Sequence, residues 1–136
     1  MEELESRRNT GPKILVVDDD PQVAKVIRKA LESAGYQVLE AAHGKAAVEL
    51  MAQKPDLVLQ DLVLPDITGY DLVAKLRFRT QEKPIPFLAL SGYMAMPEEP
   101  WDTGHGFDAL VVKPVSPSEL VKTVKTWLEK GHSGKP

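Results

Sequence analysis

The sequence predicts an α/β domain in which a five-stranded parallel sheet is wound with helices on both faces. Three observations predict it. Short, continuous aliphatic runs recur along the chain, each suited to a strand covered on both sides. Between them lie stretches whose apolar residues are spaced by three and four, as on one face of a helix. Most runs end abruptly in polar residues. Strands alternating with helical stripes argue for βαβ units, whose crossovers are almost all right-handed.

The first strand is Ile14-Leu15-Val16-Val17, stopped by Asp18-Asp19-Asp20-Pro21. Val23, Val26, Ile27, Ala30, Leu31 and Ala34 make the stripe of a first helix, with Asp19 or Asp20 as its cap and Gly35 as its stop. Tyr36 to Ala41 reads as the second strand. Ala46, Ala47, Leu50 and Met51 then place a second helix over Gly44 to Lys54, ahead of Pro55. Leu57-Val58-Leu59 is the third strand and ends in Gln60-Asp61. The loop Leu64-Pro65-Asp66-Ile67-Thr68-Gly69 follows, rich in turn chemistry, with Asp66 and Thr68 read as capping residues.

Tyr70, Val73, Leu76 and Arg77 give the third helix its spacing as far as Gln81. Phe87-Leu88-Ala89-Leu90 is the fourth strand, with Pro86 tolerated at its start and Ser91-Gly92 at its end. Ala109-Leu110-Val111-Val112 is the fifth, ending at Lys113-Pro114. Ser116 suits the cap of a last helix that buries Leu120, Val124, Trp127 and Leu128. Between strands four and five, Pro97, Pro100, Gly104 and Gly106 interrupt the chain. A proline inside a helix costs about 3 kcal/mol, so a short, shifted or mobile segment is expected over 94–106.

Composition bounds the rest. A chain of 136 residues, 43% hydrophobic, has room for one sizeable core. The expected domain spans 12–130, with polar tails at 1–11 and 131–136. A net charge of -3 supplies no field that would draw the molecule to nucleic acid or anionic lipid, so neither is expected as a direct partner. Without cysteine there are no disulfides and no thiolate ligands, and no stretch is apolar enough for a signal peptide or a bilayer span. A cytoplasmic setting is the simplest reading. Six residues follow Lys130, so no output domain is expected.

In a doubly wound sheet the C-terminal strand ends lie along one edge, where ligands collect. That edge should gather Asp18, Asp19, Asp61, Ser91 and Lys113. Carboxylates packed this close repel, by about 4 kcal/mol for two charges ~4 Å apart at an effective dielectric of about 20. A hard divalent cation relieves the repulsion, and an oxygen-only ligand set favours Mg²⁺, with Mn²⁺ as the alternative. A carboxylate can attack phosphorus directly if its charge and that of the phosphoryl oxygens are neutralised. Lys113 and the metal can neutralise them, while Ser91 can donate to a phosphoryl oxygen.

In these residues the sequence resembles the receiver domains of response regulators. The resemblance rests on Ile14 to Asp20, Pro55 to Asp61, Leu64-Pro65-Asp66 with Gly69, Leu90-Ser91-Gly92 and Val112-Lys113-Pro114. It implies a flavodoxin-like strand order 2-1-3-4-5 and makes Asp61 the phosphoacceptor. Asp19 becomes a direct metal ligand, Asp18 a ligand mostly through water, and the Val63 carbonyl a backbone ligand. Ser91 becomes the switch hydroxyl and Lys113 the phosphoryl partner, with a cis Lys113-Pro114 bond. The implied donor is a phosphohistidine on a sensor histidine kinase or a histidine phosphotransfer domain. The implied output is a changed interaction with an unidentified downstream protein, from a stand-alone receiver or one excised from a hybrid kinase. Such a domain is not an enzyme toward other substrates; it catalyses only its own phosphorylation and dephosphorylation.

Two departures stand out. Leu110 occupies the position where the family has a Tyr or Phe that swings toward the switch hydroxyl, and the interrupted segment 94–106 falls where the family has a regular helix. The side chains of Val63 and Tyr93 carry no carboxylate or amide to orient water, so slow loss of the phosphoryl group is expected. Two rival readings fit the residues less well. Asp18 and Asp20 resemble the Asp-x-Asp of haloacid-dehalogenase-type phosphohydrolases, but the following Thr or Ser and a cap insertion are missing, and Asp61 is left unexplained. A binding module that signals without phosphorylation would not need the complete acidic pocket. His43, His105 and His132 are read as solvated and Trp127 as core. Trp101 is read as a ring covering the core.

Overall fold

The computed structural model describes residues 10–92 and 106–131. In chain order these form β1 (Lys13–Val17), α1 (Pro21–Ser33), β2 (Gln37–Ala41), α2 (Gly44–Leu50) with a 3-10 turn at Met51–Gln53, β3 (Leu57–Asp61), α3 (Gly69–Arg79), β4 (Phe87–Ser91), β5 (Ala109–Val112) and α4 (Pro117–Lys130). The five strands are all parallel in the order β2-β1-β3-β4-β5, as expected. Of the segment 94–106, expected to be short, shifted or mobile, all but Gly106 lies outside the described residues, Trp101 and His105 included, as do Tyr93 and His132.

Burial follows position in the sheet. Every residue of β3 and β4 is buried, whereas the edge strands β2 and β5 are mostly half-buried. Side chains alternate between two cores. Ile14, Val16, Leu57, Leu59, Leu88 and Leu90 pack with Ile27 and Leu31 of α1 and with Leu120 and Val124 of α4. Leu15, Val17, Val58, Phe87 and Ala89 pack on the other face with Ala47 of α2 and Leu72, Val73 and Leu76 of α3. The half-buried Trp127 joins the first of these cores, and Lys130 stacks its ammonium 4.5 Å from the ring centre.

Local chemistry sets the helix limits. Asp20 caps α1 by accepting from the Gln22 N–H at 2.9 Å. The same helix closes with Tyr36 N–H donating to Leu31 O and Gly35 N–H to Glu32 O, and Gly35 takes the left-handed conformation (φ +97) that this ending requires. The α1 stripe differs from the expectation at two positions. Val26 is 43% exposed because it lies about 100° around the helix from Ile27, and Ala34 is the C-cap, past the last packed turn; Ala24 is buried instead. The second helix stops at Leu50 and tightens into the 3-10 turn, which ends at Lys54 in a left-handed conformation (φ 58) before Pro55.

Candidate functional site

The strand tips are bonded sideways into one ledge. Asp18 N–H donates to Ala41 O at 3.1 Å, Leu62 N–H to Leu90 O at 3.2 Å and Lys113 N–H to Ser91 O at 2.8 Å. On this ledge Asp18, Asp19 and Asp61 each present a carboxylate oxygen, all within 4.8 Å of one another. Lys113 reaches across from beyond β5. Its ammonium donates to Asp61 Oδ2 at 2.9 Å and stands 2.9 Å from Asp18 Oδ2. The latter contact is an ion pair, and among the described residues it is the contact that offsets the charge of this buried oxygen.

Each acid has a distinct setting. The Asp18 side chain is fully buried and accepts from Asp20 N–H at 2.9 Å through Oδ1. Burial is the largest influence on it and raises its pKa above the ordinary value, against the lowering effects of Lys113 and the Asp20 N–H. Asp19 is exposed. Asp61 is 8% exposed at the end of β3, and its Oδ1 accepts from Val63 N–H at 3.0 Å. For Lys113, burial alone would lower the pKa, but the close contacts and charges of Asp18 and Asp61 together raise it. Asp18, Asp19, Asp61 and Lys113 are thus brought together. Ser91 is buried at the end of β4, beside Val112 in register, and Lys113-Pro114 is cis. Leu110 is half-buried and packs on the α2–α3 side of the sheet.

The loop after Asp61 is held from several sides. Its neck is closed by Gly69 N–H donating to Leu62 O at 2.8 Å and by an antiparallel bridge between Val63 and Thr68. Thr68 caps α3 by accepting from Asp71 N–H at 3.1 Å. Asp66 acts at longer range than a local cap. It accepts from the Gly44 and Lys45 N–H groups of α2 at 2.8 and 3.0 Å, and the Gly44 bond first, then Lys45, holds its carboxyl below the ordinary value. A Cβ at Gly44 would lie 2.3 Å from Ile67 Cγ2, so a larger residue there would have to displace the Ile67 side chain. His43, read as merely solvated, is exposed but caps α2 by accepting from Ala46 N–H at 3.2 Å.

Two buried polar groups were not singled out from the sequence. Asp108, just before β5, pairs with Arg77 of α3 at 2.9 Å and accepts from Phe87 N–H at 2.8 Å; Arg77 also donates to Gly106 O and stacks 4.6 Å over the Phe87 ring. Gln60 is fully buried beside the candidate phosphoacceptor. The one available signal was a polar residue inside an otherwise aliphatic strand.

Comparison with known proteins decides the family. The response regulator receiver domain model matches residues 14–125. The chain belongs to this family. It is 34% identical over 125 residues to the phosphate regulon transcriptional regulatory protein PhoB of Pseudomonas aeruginosa, covering 91% of this chain and 55% of that protein. Among solved structures, a putative response regulator from Chloroflexus aurantiacus J-10-fl is 33% identical with a TM-score of 0.79, over 88% of this chain and 99% of that one. The chemotaxis response regulator CheY4 of Vibrio cholerae is 32% identical with a TM-score of 0.76, over 86% and 98%. The receiver domain spans about half the length of the transcriptional regulators it matches. Among the described residues no helix is long and apolar enough to cross a membrane.

Proposed function

We propose that this receiver domain accepts a phosphoryl group from a phosphohistidine donor onto Asp61 and, so modified, changes its interactions with a downstream partner. The observation that carries the reading is the convergence of three acidic side chains and one ammonium on the ledge, with Lys113 bonded to the carboxylate that is to react. The donor would sit on a sensor histidine kinase or a histidine phosphotransfer domain.

The donor set suits Mg²⁺, or Mn²⁺. It is all oxygen and acidic, and its three carboxylates carry more negative charge than the one Lys113 ammonium offsets. Asp18, Asp19, Asp61 and the Val63 carbonyl would hold the ion. When bound it neutralises charge between the carboxylates and the phosphoryl oxygens. The chain's own residues do the rest. An Asp61 oxygen attacks phosphorus, a P–O bond forms, and the bond from phosphorus to the imidazole nitrogen breaks with its electron pair leaving on the imidazole. Val63 N–H, bonded to Oδ1, orients the nucleophile. Lys113 transfers its contact from Asp61 Oδ2 to a phosphoryl oxygen, and the Ser91 hydroxyl donates to another.

The Val63 side chain is 70% exposed and apolar, so it brings no group to align an attacking water. This supports a long-lived acyl phosphate. Incubation with acetyl phosphate or phosphoramidate and Mg²⁺, followed by mass measurement, tests the reading. A metal-dependent gain of one phosphoryl group in the wild type but not in Asp61→Asn is expected, and equal labelling of both proteins would sink it.

A further inference from the structure

Gln60 lies in the middle of the sheet, with Val17 and Ala89 as its register partners, and its side chain is fully buried. An apolar residue at that position would bring no polar group to be satisfied. Gln60 instead donates from Nε2 to Gly69 O at 3.0 Å, while its Oε1 is buried without a partner among the described residues. Folded chains rarely leave such an acceptor unpaired, because its hydration is lost and nothing replaces it. The bond it makes has a specific place. Gly69 begins α3 and backs directly onto the reacting residue, since a Cβ on it would lie 2.7 Å from Asp61 O and 2.6 Å from Leu62 Cα. With the Gly69 N–H bond to Leu62 O, the Gln60 amide clamps the root of the loop that carries both Asp61 and Val63.

We infer that Gln60 is a positioning residue for the chemistry at Asp61, its amide holding α3 and the 62–68 loop in the register that presents the Asp61 carboxylate and the Val63 carbonyl to the cation. The inference rests on the phosphoacceptor reading above. It separates two properties that usually move together. Replacing Gln60 by an apolar residue of similar length removes the unpaired Oε1, which favours folding, and removes the clamp, which harms the site.

The experiment compares wild type, Gln60→Met and Gln60→Leu by three measurements. Thermal unfolding in metal-free buffer should give midpoints at or above that of the wild type. Amide exchange without metal should speed up at least tenfold across residues 62–69 and not across β1. The Mg²⁺ concentration for half-maximal labelling by acetyl phosphate should rise several-fold, with the rate at saturating Mg²⁺ less affected. Unchanged exchange in 62–69 would overturn the inference, as would a fall in the midpoint with an unaltered Mg²⁺ requirement, the mark of a merely structural amide. Failure of the wild type to take up a phosphoryl group would sink the reading of Asp61, while the exchange measurement would still decide whether Gln60 holds the loop.

Discussion

Lys113 and Asp61 are 52 residues apart in the chain and joined by a 2.9 Å hydrogen bond, with the same ammonium 2.9 Å from Asp18. This single cation holds two of the three clustered acids together. Breaking a wholly buried pair costs about 3–5 kcal/mol, and Lys113 keeps 19% of its side chain exposed. Lys113→Met is therefore expected to lose about 2–3 kcal/mol in urea unfolding without metal, at or just under the lower end of that range. Added Mg²⁺ should return part of the loss. Unfolding midpoints identical to wild type in metal-free buffer would contradict this.

A metal that binds only the folded chain stabilises it by mass action, about 2.7 kcal/mol at a hundredfold excess over the dissociation constant. Millimolar Mg²⁺ should accordingly raise the thermal midpoint of the wild type. Asp19 is exposed, so Asp19→Asn should fold normally and lose most of that rise. A calorimetric scan with and without Mg²⁺ checks it.

Asp18 and Asp66 should give opposite pH signatures. The Asp66 carboxyl is held below its ordinary value of 3.8 by the Gly44 and Lys45 N–H groups. A folded-state value below the unfolded one adds stability above the unfolded value, and that stability is lost as pH falls through the folded one. Asp66→Ala should thus melt below the wild type at pH 7, with the gap closing only under pH 3.8. Burial raises the Asp18 value, so its ionised form opposes folding, and stability is regained as pH falls through the folded value. Asp18→Asn should melt above the wild type at pH 7 in metal-free buffer, and should respond less to Mg²⁺. Thermal scans across pH decide both signs.

The Arg77–Asp108 pair fastens α3 to the start of β5, and the Asp108 side chain is only 2% exposed. Arg77→Met takes the guanidinium from that carboxylate while the Phe87 N–H still donates to it, and should cost about 3 kcal/mol. Urea unfolding gives the value. A cost under about 1 kcal/mol would mean the pair behaves like an exposed one.

Most of the architecture was legible because each strand and helix carries its own period and its own stop. Ile14 to Val17, Leu57 to Leu59 and Phe87 to Leu90 are apolar on both faces because they lie in the three central strands. The candidate site was legible because Asp61 and Ser91 close β3 and β4, while Asp18 and Asp19 follow β1 and Lys113 follows β5 directly. What was not legible depends on partners remote in sequence. Asp66 looked like a local cap, yet its partners are 22 and 21 residues away at the start of α2. Arg77 fitted the spacing of α3, and only the fold brings Asp108 to it. Val26 and Ala34 matched the apolar period of α1 but fall on its flank and beyond its end, which hydropathy alone does not distinguish.

The sideways bonds from Leu62 to Leu90 and from Lys113 to Ser91 run through one strand, β4, at adjacent residues. Modification of Asp61, as proposed, and pressure from any protein that gripped the β4–β5 margin would therefore bear on the same short row of amides. By thermodynamic reciprocity, a partner that prefers the modified setting of that row must also make the modification easier. A downstream protein bound there would be a cofactor for phosphorylation as much as a reader of it.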